Sequence, residues 1–421
     1  MTDWTQPTPS RRDFLRMGAL GATLPSLGPG ALASLALPQG SPALVMLQLS
    51  GGNDGLATIV PHGDDELYRR RKTTVESKAS LLRIDDYRAF HPRLRAFRGE
   101  YDAGRMAIVE GCGYPDPIRS HFKSMEIWHT ANHAGRLSGE GWIGKLVSHA
   151  WGATAAPDSV IHLGGKAPYS VFSSTHPAVA VASPTAYRWF GERAVYEMAG
   201  TAICEHEEGP GQGVRPSSSG PEHVGRDRAL ALLRKTLDDA AESSDRVRRA
   251  AATYQTPVEY PSSPLSASLR DVASLISGGV GTRVFSLTYS GFDTHSNQLV
   301  GHGRKMAAVD GALGAFLQDL RRTPEGKRAI VVVFSEFGRR VAENGSKGHD
   351  HGHAGPMFIF GPAVRGGLYG EHPSLTDLHQ GDLVSTVDFR SVYATVIEHW
   401  FQADSTAVLG ARYPVLDFLA S

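Results

Sequence analysis

The sequence predicts an α/β protein: a mainly parallel central sheet with helices on both faces. Short apolar, β-branched runs recur along the chain and alternate with longer segments of helical periodicity. Ala329 to Phe334 is almost unbroken in Ile and Val, as expected of a strand buried on both faces. Three such runs end in clusters of Asn, Asp, Glu or His, and sites in open α/β sheets gather beyond the carboxyl ends of strands.

Ser10-Arg11-Arg12-Asp13-Phe14-Leu15 matches the twin-arginine export pattern. The uncharged stretch from Met17 to about Leu37 is only modestly apolar and contains Pro25 and Pro29, so it makes a poor membrane helix. Residues 1–37 are read as a twin-arginine signal, with a small-residue cleavage site at Ala31-Leu32-Ala33. The translocase is then a partner during export of a folded chain to the periplasm or beyond. Residues 41–421 are expected to form a single domain.

Ala43 to Leu49 gives a first strand, ending in a Gly-Gly turn. Leu94 to Tyr101 reads as a short amphipathic helix, and Met106 to Val109 as a strand. Phe122 to Asn132 and Trp142 to Ala150 read as helices. Val160 to Leu163 and Ala178 to Ala182 read as short strands. Residues 205–222, rich in Gly, Pro, Ser and charge, read as an exposed loop. Helical patterns follow at Arg226 to Tyr254 and Leu265 to Ile276, then a strand at Val284 to Tyr289. Met306, Val309, Leu313, Phe316, Leu317 and Leu320 recur at helical spacing. Met357 to Phe360 is a further strand, and Val392 to Phe401 an amphipathic closing helix.

Lys and Arg number 43 and Asp and Glu number 43, a balance that argues against a nucleic-acid footprint. Beyond the signal no apolar run suits a membrane span. With two cysteines, Cys112 and Cys204, there is no disulfide framework; one bridge or two thiols are equally consistent.

The polar clusters at the strand ends carry the chemistry. Ser50-Gly51-Gly52-Asn53-Asp54-Gly55 follows the first strand, and Phe292-Asp293-Thr294-His295 a later one. Ser335-Glu336-Phe337 follows Ala329 to Phe334 and leads to Gly348-His349-Asp350-His351-Gly352-His353. Asp, Glu and His are the ligand types for a hard-to-borderline divalent metal. Asp54, Asp293, His295, Glu336, Asp350, His351 and His353 are therefore candidate ligands for zinc, manganese, iron or calcium. Plainer readings stand beside these: Asp54 as a turn residue, Asp293 and His295 as caps, and Glu336 paired with Arg339 or Arg340. His121, His129 and His133 share one segment, the last two at i and i+4, without strand-end context, and are read as incidental. Cys112 reads as a small buried core residue.

Leu49-Ser50-Gly51-Gly52-Asn53-Asp54-Gly55-Leu56, Arg119-Ser120-His121-Phe122, Ser335-Glu336-Phe337-Gly338-Arg339, Asp350-His351-Gly352-His353 and Asp388-Phe389-Arg390-Ser391-Val392-Tyr393 together resemble the signature blocks of the DUF1501 family. The resemblance spans nearly all of the chain past the signal. It implies an alkaline phosphatase-like fold and a place among phosphatases, sulfatases and metal-dependent mutases. On that resemblance Asp54 is a first metal ligand and Asp293 and His295 are later ones, with His351 or His353 the last. Ser120 is then the nucleophile at a helix start, and Arg119 a clamp for an anionic group. Where the superfamily carries Asp-His, this chain has Glu336-Phe337, which leaves one imidazole fewer. The expected function is metal-assisted hydrolysis of a small anionic ester, phosphate or sulfate, including glycan-type substrates. The alternative is an exported binding or assembly protein that keeps the fold without catalysis.

Overall fold

Nine strands form the central sheet of the computed structural model, which describes residues 41–132, 139–176, 178–187 and 243–420. The signal segment 1–37, the loop expected at 205–222, His133, Cys204 and the helix expected from Arg226 as far as residue 242 lie outside the described residues. In chain order the strands are β1 (Ala43–Ser50), β2 (Met106–Gly113), β3 (Val160–Leu163), β4 (Val179–Val181), β5 (Val284–Ser290), β6 (Ala329–Phe334), β7 (Gly355–Phe360), β8 (Gly367–Tyr369) and β9 (Val387–Asp388). Their order across the sheet is β8-β2-β7-β6-β1-β5-β3-β4, with β9 also on β2. β1 lies parallel between β5 and β6, pairing Leu47 with Leu287 and with Val333. All pairings are parallel except the two that β7 makes, with β6 and β2.

Both faces of the sheet are covered, as the unbroken apolar runs require. Val45, Leu47 and Leu49 of β1 pack on one side with Leu269 and Val272 of helix α4 (Pro264–Ser277) and Met306, Val309, Leu313 and Phe316 of α5 (Gln298–Leu320). Helix α1 (Arg95–Asp102) adds Phe97 to the same side. Leu44 and Met46 face the other way, toward Trp128 of α2 (His121–Thr130), Trp142 of α3 (Trp142–Ala150) and Tyr393 of α6 (Phe389–Thr395). Alternate residues of one strand thus serve two cores.

The closing helix departs from the amphipathic expectation. Phe389 to Ile397 is buried throughout, and the helix passes into a π turn at Val396–Trp400. Asp388 caps it, accepting from the Arg390 N–H at 3.0 Å and pairing with its guanidinium. No described helix is long and apolar enough to cross a membrane. Cys112 is a free thiol, buried in β2, and burial pushes it well above the usual thiol range; a thiol so held is a poor nucleophile.

Parallel strands β1, β5, β6 and β2 deliver their following loops to one edge of the sheet. The reversed strand β7 starts at that same edge, so the His349–His353 loop reaches it from the other chain direction.

Candidate metal centre

Four loops meet at the carboxyl edge, and one arginine ties three of them together. Arg339 is fully buried. Its Nε donates to the Gly52 carbonyl at 2.8 Å, Nη1 to the His349 carbonyl at 2.9 Å, and Nη2 to Phe292 O at 3.0 Å and Asp293 Oδ1 at 2.6 Å. Nη2 also donates to the Gly51 carbonyl. Gly51 has φ +117°, and a Cβ there would lie 2.5 Å from the Asp293 nitrogen. Only glycine lets the β1 turn come this close to the β5 loop.

Around Asp293 three imidazoles converge. Its Oδ1 lies 3.1 Å from His351 Nε2, 3.0 Å from His295 Nε2 and 3.6 Å from His121 Nε2. The Nε2 atoms of His295 and His351 are 3.0 Å apart. One ligand atom from each of His121, Asp293 and His351 can be chosen with all three within 4.8 Å of one another.

The other nitrogen of every ring is held by an acceptor. His121 Nδ1 faces Glu336 Oε1 at 2.9 Å, His295 Nδ1 faces Asp350 Oδ1 at 3.1 Å, and His351 Nδ1 faces the Arg119 carbonyl at 2.8 Å. Carboxylates and carbonyls accept, so each Nδ1 carries a proton, and each ring is thereby oriented with its Nε2 toward Asp293. Carboxylate-held or carbonyl-held imidazoles of this kind are the usual support for metal-ligating histidines. The donors also pass a direct test of fit: His121 Nε2 is buried and has no hydrogen-bond partner, an expensive state for a polar atom unless a cation or proton meets it.

Electrostatics keep the centre anionic. Burial alone would raise the Asp293 carboxyl, but the hydrogen bond and charge of Arg339, with His351 and His295, hold it at about 2. Burial would likewise raise Glu336, which is fully buried. Hydrogen bonds from His121, the Gly51 N–H at 2.8 Å and Gln48 keep it below the usual carboxylate range. In return the Glu336 bond raises His121, against the opposing effect of burial. The Phe337 ring sits 4.8 Å from both the His121 and His351 rings. The imidazole beside Glu336-Phe337 comes from the start of α2, with Glu336 as its holder.

The expected ligands divide. Asp293, His295 and His351 come together, with Asp350 and Glu336 behind them. Asp54 is elsewhere, in a fully buried pair with Arg71 at 2.7 Å, and it also accepts from Gln298 and from the Ala57 N–H. Burial would raise its carboxyl, yet Arg71 and His349 hold it well below the usual range. His353 turns to Asp382 at 3.2 Å, and the Arg119 guanidinium binds that same buried carboxylate, Nε to Oδ2 at 2.7 Å. The Arg119 main chain, not its side chain, contacts the cluster. Ser120 is exposed at the N-cap of α2, between the carbonyl that holds His351 and the imidazole of His121, and makes no capping hydrogen bond. His121 and Arg339 stand in the motif blocks but have no place among the site residues expected from sequence, and Arg339 pairs with Asp293 rather than Glu336. A signal for His121 existed: it opens a helix directly after the β2 loop, at the site-bearing edge.

Comparison with known proteins bears on the motif blocks within residues 275–406. No curated protein matches the chain in sequence. Among solved structures it is similar to a protein in the alkaline phosphatase superfamily from Vibrio parahaemolyticus, at 11% identity and a TM-score of 0.39, over 88% of this chain and 69% of that one. It is similar to a sulfatase from Pseudoalteromonas sp. at 10% identity and 0.36, over 90% and 72%. It is also similar to Ps i-CgsB in complex with k-i-k-neocarrahexaose, at 11% identity and 0.35, over 89% and 73%. Residues 275–406, which contain Asp293, His295, Glu336, Asp350 and His351, match the family model DUF1501, a protein of unknown function.

Proposed function

We propose that this chain is an exported, metal-dependent hydrolase of phosphate or sulfate esters. The observation that carries the metal is the convergence on Asp293 of three imidazoles whose Nδ1 atoms are all held, one with its buried Nε2 unpartnered. His121, Asp293 and His351, with His295, would hold the ion. Imidazoles with one carboxylate favour zinc, manganese or iron over calcium. When bound, a divalent cation supplies Lewis-acid polarisation of the ester's non-bridging oxygen.

The protein's own groups do the rest. Ser120 makes no cap, so the first N–H groups of α2 keep their donors for the anionic oxygens of an ester. Its exposed hydroxyl, beside the cluster, would attack phosphorus or sulfur and expel the alcohol, and water would then release the anion. Glu336, Asp350 and the Arg119 carbonyl orient the imidazoles, and Arg339 fixes Asp293. The twin-arginine pattern supports export through the translocase and a periplasmic or secreted location.

Turnover of 4-nitrophenyl phosphate and 4-nitrophenyl sulfate tests this reading. We expect Ser120→Ala to abolish turnover and keep the metal, and His351→Ala to lose both. Full turnover in both variants overturns it. A second reading, an exported binding protein without turnover, draws on the closure of Asp54 by Arg71, which takes that carboxylate out of the metal set; metal without turnover of any ester would favour it.

A further inference from the structure

Beside the cluster lies a cleft of about 820 Å³, a size that accommodates a small organic ligand. Its walls are mainly apolar. Phe122, 83% exposed, Phe172, 49%, and Tyr169, 37%, are the exposed large aromatic residues among those described, and all three line this cleft. Tyr169 and Phe172 stack with centroids 5.7 Å apart and planes 8° apart, so their rings are held parallel. Exposed aromatics are costly to leave in water, and their gathering around a single concavity marks a binding surface.

The cleft and the cluster share a wall. His121, Met125 and His129 follow one another at i, i+4 and i+8 on α2, and so lie on one face. Met125 and His129 line the cleft. From His129 a hydrogen-bond chain runs to the cluster: Nε2 to Gln48 Oε1 at 2.9 Å, Gln48 Nε2 to Glu336 Oε2 at 3.3 Å, and Glu336 Oε1 to His121 at 2.9 Å. Burial pushes His129 down to about 4, so the ring is neutral at pH 7 and its Nε2–H donates along the chain.

We propose that this cleft seats the alcohol portion of the substrate, and that this portion carries a flat ring whose apolar face lies on Phe122 and on the Tyr169–Phe172 stack. The inference rests on the hydrolase reading for the position of the ester itself, but ring binding is measurable without hydrolysis. Aromatic rings and the apolar faces of sugar rings share this chemistry, and the probes separate them.

The test is calorimetric binding of 1-naphthalenesulfonate and of methyl β-glucoside to the full chain, its Phe122→Ala and Phe172→Ala variants, and its His351→Ala variant. Val415→Ala, an exposed apolar position outside the cleft, serves as the control. One probe or both should bind the wild type, and binding should weaken about twofold to tenfold in each aromatic variant and remain in Val415→Ala. Naphthalenesulfonate alone identifies an aryl substrate, and the glucoside a glycan-type one. Binding retained in His351→Ala with turnover lost there supports both readings; ring binding with no turnover in the wild type leaves the cleft standing and removes the hydrolase. No binding of either probe, or equal binding in both aromatic variants, overturns the cleft proposal.

Discussion

Replacing Glu336 by Gln changes the support of His121 while keeping the shape of the side chain. The carboxylate accepts through Oε1 from His121 Nδ1 at 2.9 Å and from the Gly51 N–H at 2.8 Å, and through Oε2 from Gln48 Nε2 at 3.3 Å. An amide offers one oxygen for these donors, and its NH2 must then face a donor. Either His121 and Gly51 or Gln48 loses its acceptor, and His121 loses the anion that makes its Nε2 more basic. Loss of such a supporting partner costs about 10- to 100-fold in metal affinity, or about 1.4–2.7 kcal/mol. Glu336 is fully buried and water cannot replace it, so the expected loss is near the hundredfold end. Asp350 supports His295 from a position 54% exposed, so Asp350→Asn should cost near tenfold. The assay is calorimetric titration of chelator-stripped protein with zinc and manganese at pH 7, with circular dichroism confirming the fold. Wild-type affinity in Glu336→Gln, or a larger loss in Asp350→Asn, would refute the support argument.

Three further outcomes follow from the same geometry. Arg71→Ala leaves the buried Asp54 carboxylate without its cation and should cost about 3–5 kcal/mol in urea unfolding, whereas Asp54→Asn should bind metal like the wild type; loss of metal in Asp54→Asn would return it to the ligand set. Burial holds His129 and His302 at about 4 against an ordinary 6.5, so as pH falls the unfolded chain takes up these protons first. Their contribution is complete above pH 6.5 and is lost between 6.5 and 4, at most about 3 kcal/mol each; a thermal midpoint of the metal-free protein flat across that window would contradict it. Arg339→Lys keeps a charge but cannot span five acceptors with one ammonium, and should weaken metal binding more than Asp350→Asn; equal or tighter binding would show that Arg339 does not position Asp293.

The strands were legible because burial on both faces leaves nearly continuous Val, Ile and Leu. Ala329 to Phe334 and Val160 to Leu163 coincide with their expected limits. The direction of β7 was not legible, since an apolar run carries no polarity, nor were β8 and β9, too short to show a period. Asp293, His295, Asp350 and His351 could be read as one cluster because each follows or precedes a strand at a single edge. The separate fate of Asp54 depends on Arg71, a residue without motif that arrives only through the tertiary fold. His121 reads as incidental because it has no strand-end context in the sequence, whereas its partner Glu336 lies 215 residues away. Pairings at that separation leave no trace in local pattern.

The metal reading stands or falls on whether His121, Asp293 and His351 hold one divalent cation. Elemental analysis of the purified chain and of its His121→Ala variant tests it most directly, because His121 enters the set through geometry alone. One ion per chain is expected in the wild type and none in His121→Ala. No ion after reconstitution, or an ion kept at full stoichiometry in His121→Ala, would contradict it.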